Sequence, residues 1–196
     1  MTMAKEETKF NIIQKGAELV QTRGFNNTGI NEILEAASVA KGSFYFYFKS
    51  KDDFGLQLID FYFDWNRAKL EKHLNNSTLA PLQRLKNFFS DYKRYFAKSR
   101  CSGGCPFGNL SQEMSDINES FRNKLLEIFS QFKAPIKQCL WEAQTIGEIS
   151  RSHDVDVLSD FILNSWEGSL IAMKLYKSIE PLTIFERMIF DVLLKA

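Results

Sequence analysis

The chain has 196 residues, 44% of them apolar, which is enough for one large domain or two small ones with a substantial core. Its 25 Lys and Arg residues nearly balance its 24 Asp and Glu residues, so the overall charge indicates neither a nucleic-acid nor a membrane partner. No apolar run reaches the ~18 residues of a membrane span, and the polar start MTMAKEETKF is not typical of a secretory signal, so we expect a cytoplasmic protein.

Apolar residues recur at intervals of three to four along the chain, which is typical of α-helices. The first predicted helix covers residues 9–23 and ends at Gly24. Thr28 is expected to cap a second helix of about three turns. A third short helix is predicted from about Ala40 to Phe48. The turn between the second and third helices is three or four residues long, which is helix-turn-helix spacing.

Longer helices follow Ser50. They are predicted at residues 52–74, 81–98, 107–115, 119–144 (with a kink at Pro135), 154–176 and 183–195. The sequence therefore predicts an all-α fold. Its expected domains are residues 1–51, with three short helices, and residues 52–196.

Five consecutive aromatic residues lie on the third predicted helix. Phe44 and Phe48 are four residues apart and share a face, so we expect them to pack inward. Tyr45 and Tyr47 point elsewhere and can contact phosphate oxygens. Positive charge surrounds these rings at Lys41, Lys49 and Lys51. The alternative is an ordinary solvated surface helix.

The segment TGINEILEAASVAKGSFYFYFKSKDDF, Thr28 to Phe54, resembles the DNA-binding signature of TetR-family transcriptional regulators. The resemblance extends back through Gly24 and Phe25, and it implies a C-terminal helical domain for ligand binding and dimerisation. Two positions depart from the family pattern. Ser38 replaces a frequent glycine in the turn, and Ala40 replaces a frequent capping Ser or Thr.

The resemblance also implies roles for individual residues in contact with double-stranded DNA. Thr28 is expected to be a phosphate-binding helix cap, and Tyr47 and Lys51 are expected to contact phosphates. The side facing the major groove comprises Lys41, Gly42, Ser43 and Tyr45. Base reading is expected from Lys41, Ser43, Tyr45 and Phe46.

A helix-turn-helix protein usually places two recognition helices in successive major grooves by dimerising. We expect a homodimer through the last two helices. The apolar stripe is Ile184, Phe185, Met188, Ile189, Val192 and Leu193, beside the small residues Gly168, Ser169 and Ala172. The alternative role for this stripe is intrachain core.

The resemblance further implies a small-molecule effector that releases a palindromic DNA operator. The aromatic residues of the middle helices favour an aromatic or lipophilic ligand. Candidate ligand-binding residues are Tyr62, Trp65, Tyr92, Gln112 and Trp141.

The loop RCSGGCP offers a second hypothesis, because Cys101 and Cys105 lie near Arg100 and a helix N-terminus, which can activate a thiol toward oxidants or electrophiles. The alternative is that Cys105 serves packing. The C-x3-C spacing lacks a second ligand pair, so no metal site or cofactor is predicted.

No catalytic motif is present, which argues against an enzyme. A helical ligand carrier that does not bind DNA remains the other alternative.

Overall fold

The computed structural model describes residues 3–195, and it describes side chains from Lys5 onward. Within this range the chain is helical and has no β-strand, which confirms the all-α class. The helices are α1 (Met3–Arg23), α2 (Ile30–Ala36), α3 (Phe44–Tyr47), α4 (Lys51–Leu74), α5 (Pro81–Lys98), α6 (Pro106–Met114), α7 (Glu119–Thr145), α8 (Val155–Tyr176) and α9 (Glu180–Arg187).

Local chemistry explains several helix ends. Pro81 is the first residue of α5. Proline has no backbone N–H group, but the first N–H groups of a helix have no carbonyl partner within it, so no hydrogen bond is lost. The Asp154 carboxylate accepts the N–H groups of Asp156 and Val157 at 2.9 and 3.2 Å and caps α8. At its other end α8 stops at Lys177, whose φ of 51° is left-handed. Pro135 lies inside α7, which continues on both sides of it.

The predicted helix bounds needed three corrections. Helix α1 begins at Met3 instead of residue 9. The third helix is shorter than predicted, because a 3₁₀ turn at Lys41–Ser43 precedes α3 and Phe48 is already extended. The last helix begins at Glu180, and a wider helical turn, Met188–Leu193, follows it.

The chain forms two compact units. The first comprises Met1–Trp65 with Pro106–Leu126, and the second comprises Asn66–Cys105 with Glu127–Ala196. This division follows how the helices pack, so it does not test the domain boundary expected after residue 51. That boundary stays a prediction.

Two glycines allow close packing in the first unit. A Cβ atom on Gly16 would lie 2.3 Å from the Phe54 ring. A Cβ atom on Gly55 would lie 2.4 Å from the Phe121 ring and 2.7 Å from the Phe25 ring. Since these distances are far below van der Waals contact, the three rings occupy space that only glycine leaves open.

The second unit has an aromatic core formed by α5, α8 and α9. The Phe89 ring centroid lies 5.0 Å from those of Trp166 and Phe185, and the latter two lie 5.1 Å apart. These separations are typical of favourable tilted and edge-to-face ring pairs. All three residues are buried, so this cluster fixes α9 against α5 and α8.

Across the described part of the chain, no helix combines the length and the apolar character needed to cross a bilayer.

Candidate nucleic-acid interface

The turn between α2 and α3 uses a left-handed residue. Ser38 has a φ of 56°, a conformation that costs most residues energy and that glycine adopts freely. The Val39 N–H donates to the Leu34 carbonyl at 2.9 Å across this turn. Ala40 precedes the 3₁₀ turn and offers no side-chain cap. Ser38 and Ala40 depart from the family pattern. The backbone geometry at these two positions explains why a glycine and a capping Ser or Thr are usual there.

Buried phenylalanines hold α3 from behind. Phe44, Phe48 and Phe54 are each at most 1% exposed. Their ring centroids lie 5.1 Å (Phe44 to Phe48), 5.9 Å (Phe44 to Phe54) and 5.2 Å (Phe48 to Phe54) apart. The predicted inward packing of Phe44 and Phe48 is therefore confirmed, and a four-residue helix gains a rigid support from α4.

The opposite side of α3 is open. Tyr45 is 68% exposed and Phe46 is 62% exposed. Lys41 and Gly42 are also exposed, while Ser43 and Tyr47 are half-buried. A Cβ atom on Gly42 would meet no atom within 4 Å. Nothing within the described chain therefore requires a glycine at this position, and the expected place of Gly42 on the side facing the major groove stays a prediction.

Lysines continue this surface toward α4. Lys51 donates to the Asn26 carbonyl at 3.2 Å, and its ammonium lies 4.9 Å from the Phe25 ring centroid. The Asp53 carboxylate accepts the Lys49 N–H at 2.7 Å. This backbone hydrogen bond is the main cause that lowers the pKa of Asp53, so its charge helps to fix the start of α4.

The predicted role of Thr28 as a cap is wrong. The N-cap of α2 is Gly29, whose N–H donates to the Glu32 carboxylate at 2.8 Å. Thr28 is completely buried, and its hydroxyl donates to the Gly24 carbonyl at 2.7 Å. Because this hydroxyl is enclosed and used internally, Thr28 is left out of the DNA-contacting set.

A carboxylate on α6 supports the same region, and sequence analysis missed it. Glu113 accepts the N–H groups of Phe25 and Asn26 at 2.8 and 2.5 Å. Gly24, with a φ of 86°, opens this loop, and a Cβ atom there would lie 3.2 Å from both Glu113 oxygens. Helix α6 therefore directly fixes the loop between α1 and α2.

Comparisons with known proteins agree with this arrangement. Residues 12–58 match the family model of bacterial regulatory proteins of the tetR family, and residues 81–189 match the tetracyclin repressor-like C-terminal domain. The chain belongs to the TetR family. Members are DNA-binding transcriptional regulators with a helix-turn-helix, and this description applies to the chain.

Three relatives cover nearly all of this TetR-family chain. The HTH-type transcriptional repressor DhaR from Mycobacterium sp. strain GP1 is 33% identical over 98% of the chain and 95% of its own length. The transcriptional regulator AcuR from Cereibacter sphaeroides is 38% identical over 90% of the chain and 80% of its own. The crystal structure of a regulatory protein TetR from Rhodobacter sphaeroides has a TM-score of 0.87 and 36% identity, covering 92% and 96% of the two chains.

The five ligand-binding candidates of this TetR-family protein do not gather in one unit. Tyr62, Trp65 and Gln112 belong to the first unit, and Tyr92 and Trp141 belong to the second. Trp65, Gln112 and Trp141 are exposed. Tyr62 donates to the Ala17 carbonyl at 2.9 Å, Tyr92 donates to Asn66, and burial raises the pKa of both phenols. Their ligand-binding role stays a prediction.

Sequence analysis also missed Glu167, a half-buried residue of α8 in the second unit. Burial raises the pKa of Glu167 to about 7, and the Cys105 thiol donates a hydrogen bond to it. Cys105 is half-buried, whereas Cys101 is buried and has a φ of 52°. Glu167 follows Trp166 within an α8 stretch that is otherwise mostly apolar, and this interruption was the available sequence signal.

The last two helices present an exposed apolar stripe. On α8 its members follow helical spacing, and on α9 and the turn after it the exposed positions are four residues apart. The stripe is Val157, Phe161, Ile171, Leu175, Ile184, Met188 and Val192. Gly168 lies on the same face of α8 and has open space around it.

The predicted dimer residues divide between this stripe and the core. Phe185 and Ile189 are at most 4% exposed, so they belong to the intrachain core, which was the alternative role considered for the predicted stripe. Ser169, Ala172 and Leu193 are half-buried. The broad apolar face of α9 has two sides, and its inner side packs within the second unit.

Proposed function

We propose that this chain is a transcriptional repressor that binds a palindromic operator as a homodimer and is released by a small aromatic or lipophilic molecule. The observation that carries the proposal is the two-sided α3, with exposed Tyr45 and Phe46 in front of buried Phe44 and Phe48. A helix supported in this way can enter a major groove without any rearrangement of the buried rings behind it.

The proposed contacts with DNA are divided by chemistry. Lys41 can bond guanine, Ser43 and Tyr45 can donate or accept hydrogen bonds, and Phe46 can meet a thymine methyl group. Gly42 lets the DNA approach the backbone closely. Tyr47 and Lys51 are proposed to contact phosphates, which fixes the register on the duplex.

The α8 and α9 stripe supports the homodimer. A single copy presents only one short recognition helix, and two copies can occupy major grooves about 34 to 36 Å apart. A twofold pair of α8 and α9 would form a four-helix interface covering the exposed stripe, with Gly168 allowing close helix crossing. The two-fold symmetry of such a pair matches a palindrome.

The effector is proposed to act on the second unit, near Tyr92 and Glu167. This unit contains an aromatic core and a carboxyl group that is partly protonated near neutral pH. Cys105 contacts this carboxyl and directly precedes α6 in the chain. A ligand that displaced Cys105 would therefore act on the helix whose Glu113 holds the loop after α1. A difference of a few kcal/mol between the two states would suffice for release.

Equilibrium binding to duplexes from the DNA flanking the gene tests this function. We expect tight binding to one duplex, with affinity that falls steeply as salt rises. Tyr45→Ala should weaken binding to that duplex roughly tenfold or more, as loss of a base contact of about 1–3 kcal/mol implies.

Tyr95→Ala is the matched control, because it removes another exposed tyrosine, in the second unit. It should leave binding unchanged. Salt-independent binding, or equal loss in both variants, would instead favour the ligand carrier.

A further inference from the structure

We propose that Lys5 and Lys9 on α1 contact the DNA backbone beside α3, which makes the first two turns of α1 part of the interface. The inference extends the contact surface of α3 proposed above. Neither lysine was a candidate from the sequence, and Lys5 lay outside the helix predicted over residues 9–23.

The first observation is the position of the two ammonium groups. Lys5 Nζ lies 3.6 Å from the ring centroid of Phe46, and Lys9 Nζ lies 5.7 Å from that of Phe48. Phe46 is 62% exposed and is a proposed base contact. A duplex that reaches Phe46 therefore comes within a few ångströms of the Lys5 charge.

The second observation is the spacing of the charges. Lys5 and Lys9 are four residues apart and share a helix face. Of the acids in the same turns, Glu7 lies on the opposite side of α1. Glu6 is three residues before Lys9 and is its neighbour on the helix, but it is exposed, and neither acid is a neighbour of Lys5. Both lysines are half-buried, so their stems pack on the protein while the ammonium groups stay near α3.

DNA carries one negative charge per about 1.7 Å of helix axis, so phosphates flank any groove that α3 enters. An exposed cation–π contact is worth only about 0.5–1 kcal/mol. The Lys5 ammonium can therefore leave the face of Phe46 for a phosphate, or keep the ring in place while contacting one. In either case Lys5 and Lys9 release counterions on binding.

The test measures the slope of log affinity against log salt, on a bound flanking duplex and on a random duplex of equal length. Lys5→Gln and Lys9→Gln should each reduce the magnitude of the slope by about 1 and weaken binding to both duplexes similarly. Lys5→Arg should restore the wild-type slope. Lys86→Gln, an exposed lysine of the second unit, should change nothing.

Unchanged slopes in both glutamine variants, with wild-type circular dichroism and melting temperature, would overturn the inference. A loss confined to the flanking duplex, with the slope unchanged, would also overturn it, because a phosphate contact carries no base preference. Failure of the proposed function is distinguishable, since the wild-type protein itself would then show no salt-dependent binding.

Discussion

Glu167 has an environment that is unusual for a carboxyl group. Its carboxyl group is buried near the Cys105 thiol, and burial raises its pKa from 4.5 to about 7. A raised pKa means that the folded protein holds this proton more tightly than the unfolded chain does. Its ionisation therefore destabilises the fold as pH rises from about 4.5 past 7.

Replacement of Glu167 by Gln should remove this dependence. At pH 5 we expect wild type and Glu167→Gln to have similar free energies of unfolding. At pH 8 the variant should be more stable, by a difference on the order of 2–3 kcal/mol, because each pKa unit is worth about 1.4 kcal/mol. Urea unfolding at both pH values, at one protein concentration, measures the difference.

The control is Asn164→Ala, a change at an exposed residue of α8 that involves no ionisable group. It should therefore shift the free energy of unfolding equally at the two pH values. An equally pH-independent effect of Glu167→Gln would show that the group is ionised in the folded protein throughout.

At the scale of the elements, α6 contacts the loop that precedes α2 through one side chain. One carboxylate, that of Glu113, satisfies two backbone donors of the loop between α1 and α2. Hydrogen bonds to a charged acceptor contribute more than neutral ones, and unmet donors carry an additional cost. The position of α2 and α3 thus depends on a carboxylate that lies 88 residues beyond Phe25 in the chain.

Glu113→Ala should lower the free energy of unfolding by about 1–3 kcal/mol and weaken operator binding, because both donors lose their partner. Denaturant unfolding and binding anisotropy measure the two effects. Gln112→Ala is the control, because Gln112 is exposed and its side-chain bond stays within α6, to the Gly108 carbonyl. Should the two variants behave alike, the Glu113 contact has no structural importance.

The sequence predicted the helices better than it predicted the side-chain contacts between them. Helical periodicity, prolines and the position of Phe44 and Phe48 determined the all-α class and the buried side of α3. The start of α1 was missed because residues Lys5 to Glu7 are polar and show no apolar stripe. The capping role was misplaced because Thr28 and Gly29 both suit an N-cap, and only the start of α2 at Ile30 separates them. A contact between Glu113 and Phe25 joins positions too distant in sequence for any local pattern to reveal.

At the scale of the whole molecule, the exposed stripe on α8 and α9 is the surface that the proposed homodimer would bury. An apolar face this extended is uncommon on a monomer. A sequence stripe does not show which side faces the chain itself, so Ile189 was predicted to be part of the dimer surface. It is 2% exposed, and a glutamate there would disrupt the protomer's own core.

Leu175→Glu is the better test, because Leu175 is 72% exposed and the substitution leaves the protomer's core intact. In a twofold pair each copy would contribute a buried charge, which is strongly unfavourable. We expect a monomer at micromolar concentration by sedimentation velocity, and at least a hundredfold loss of operator affinity. Ile117→Glu, on an exposed residue between α6 and α7, should remain dimeric. A dimeric Leu175→Glu would place the interface elsewhere.

The glycines at positions 16 and 55 also bear on how this regulator can change its operator. Rings from Phe25, Phe54 and Phe121 fill the space beside them, so even a methyl group at either position would dislodge the base on which α3 rests. Tyr45 and Phe46, by contrast, face outward, whereas Phe44, Phe48 and Phe54 form the buried support of α3. A library that varies only those outward residues can therefore explore new DNA sequences while the scaffold stays constant.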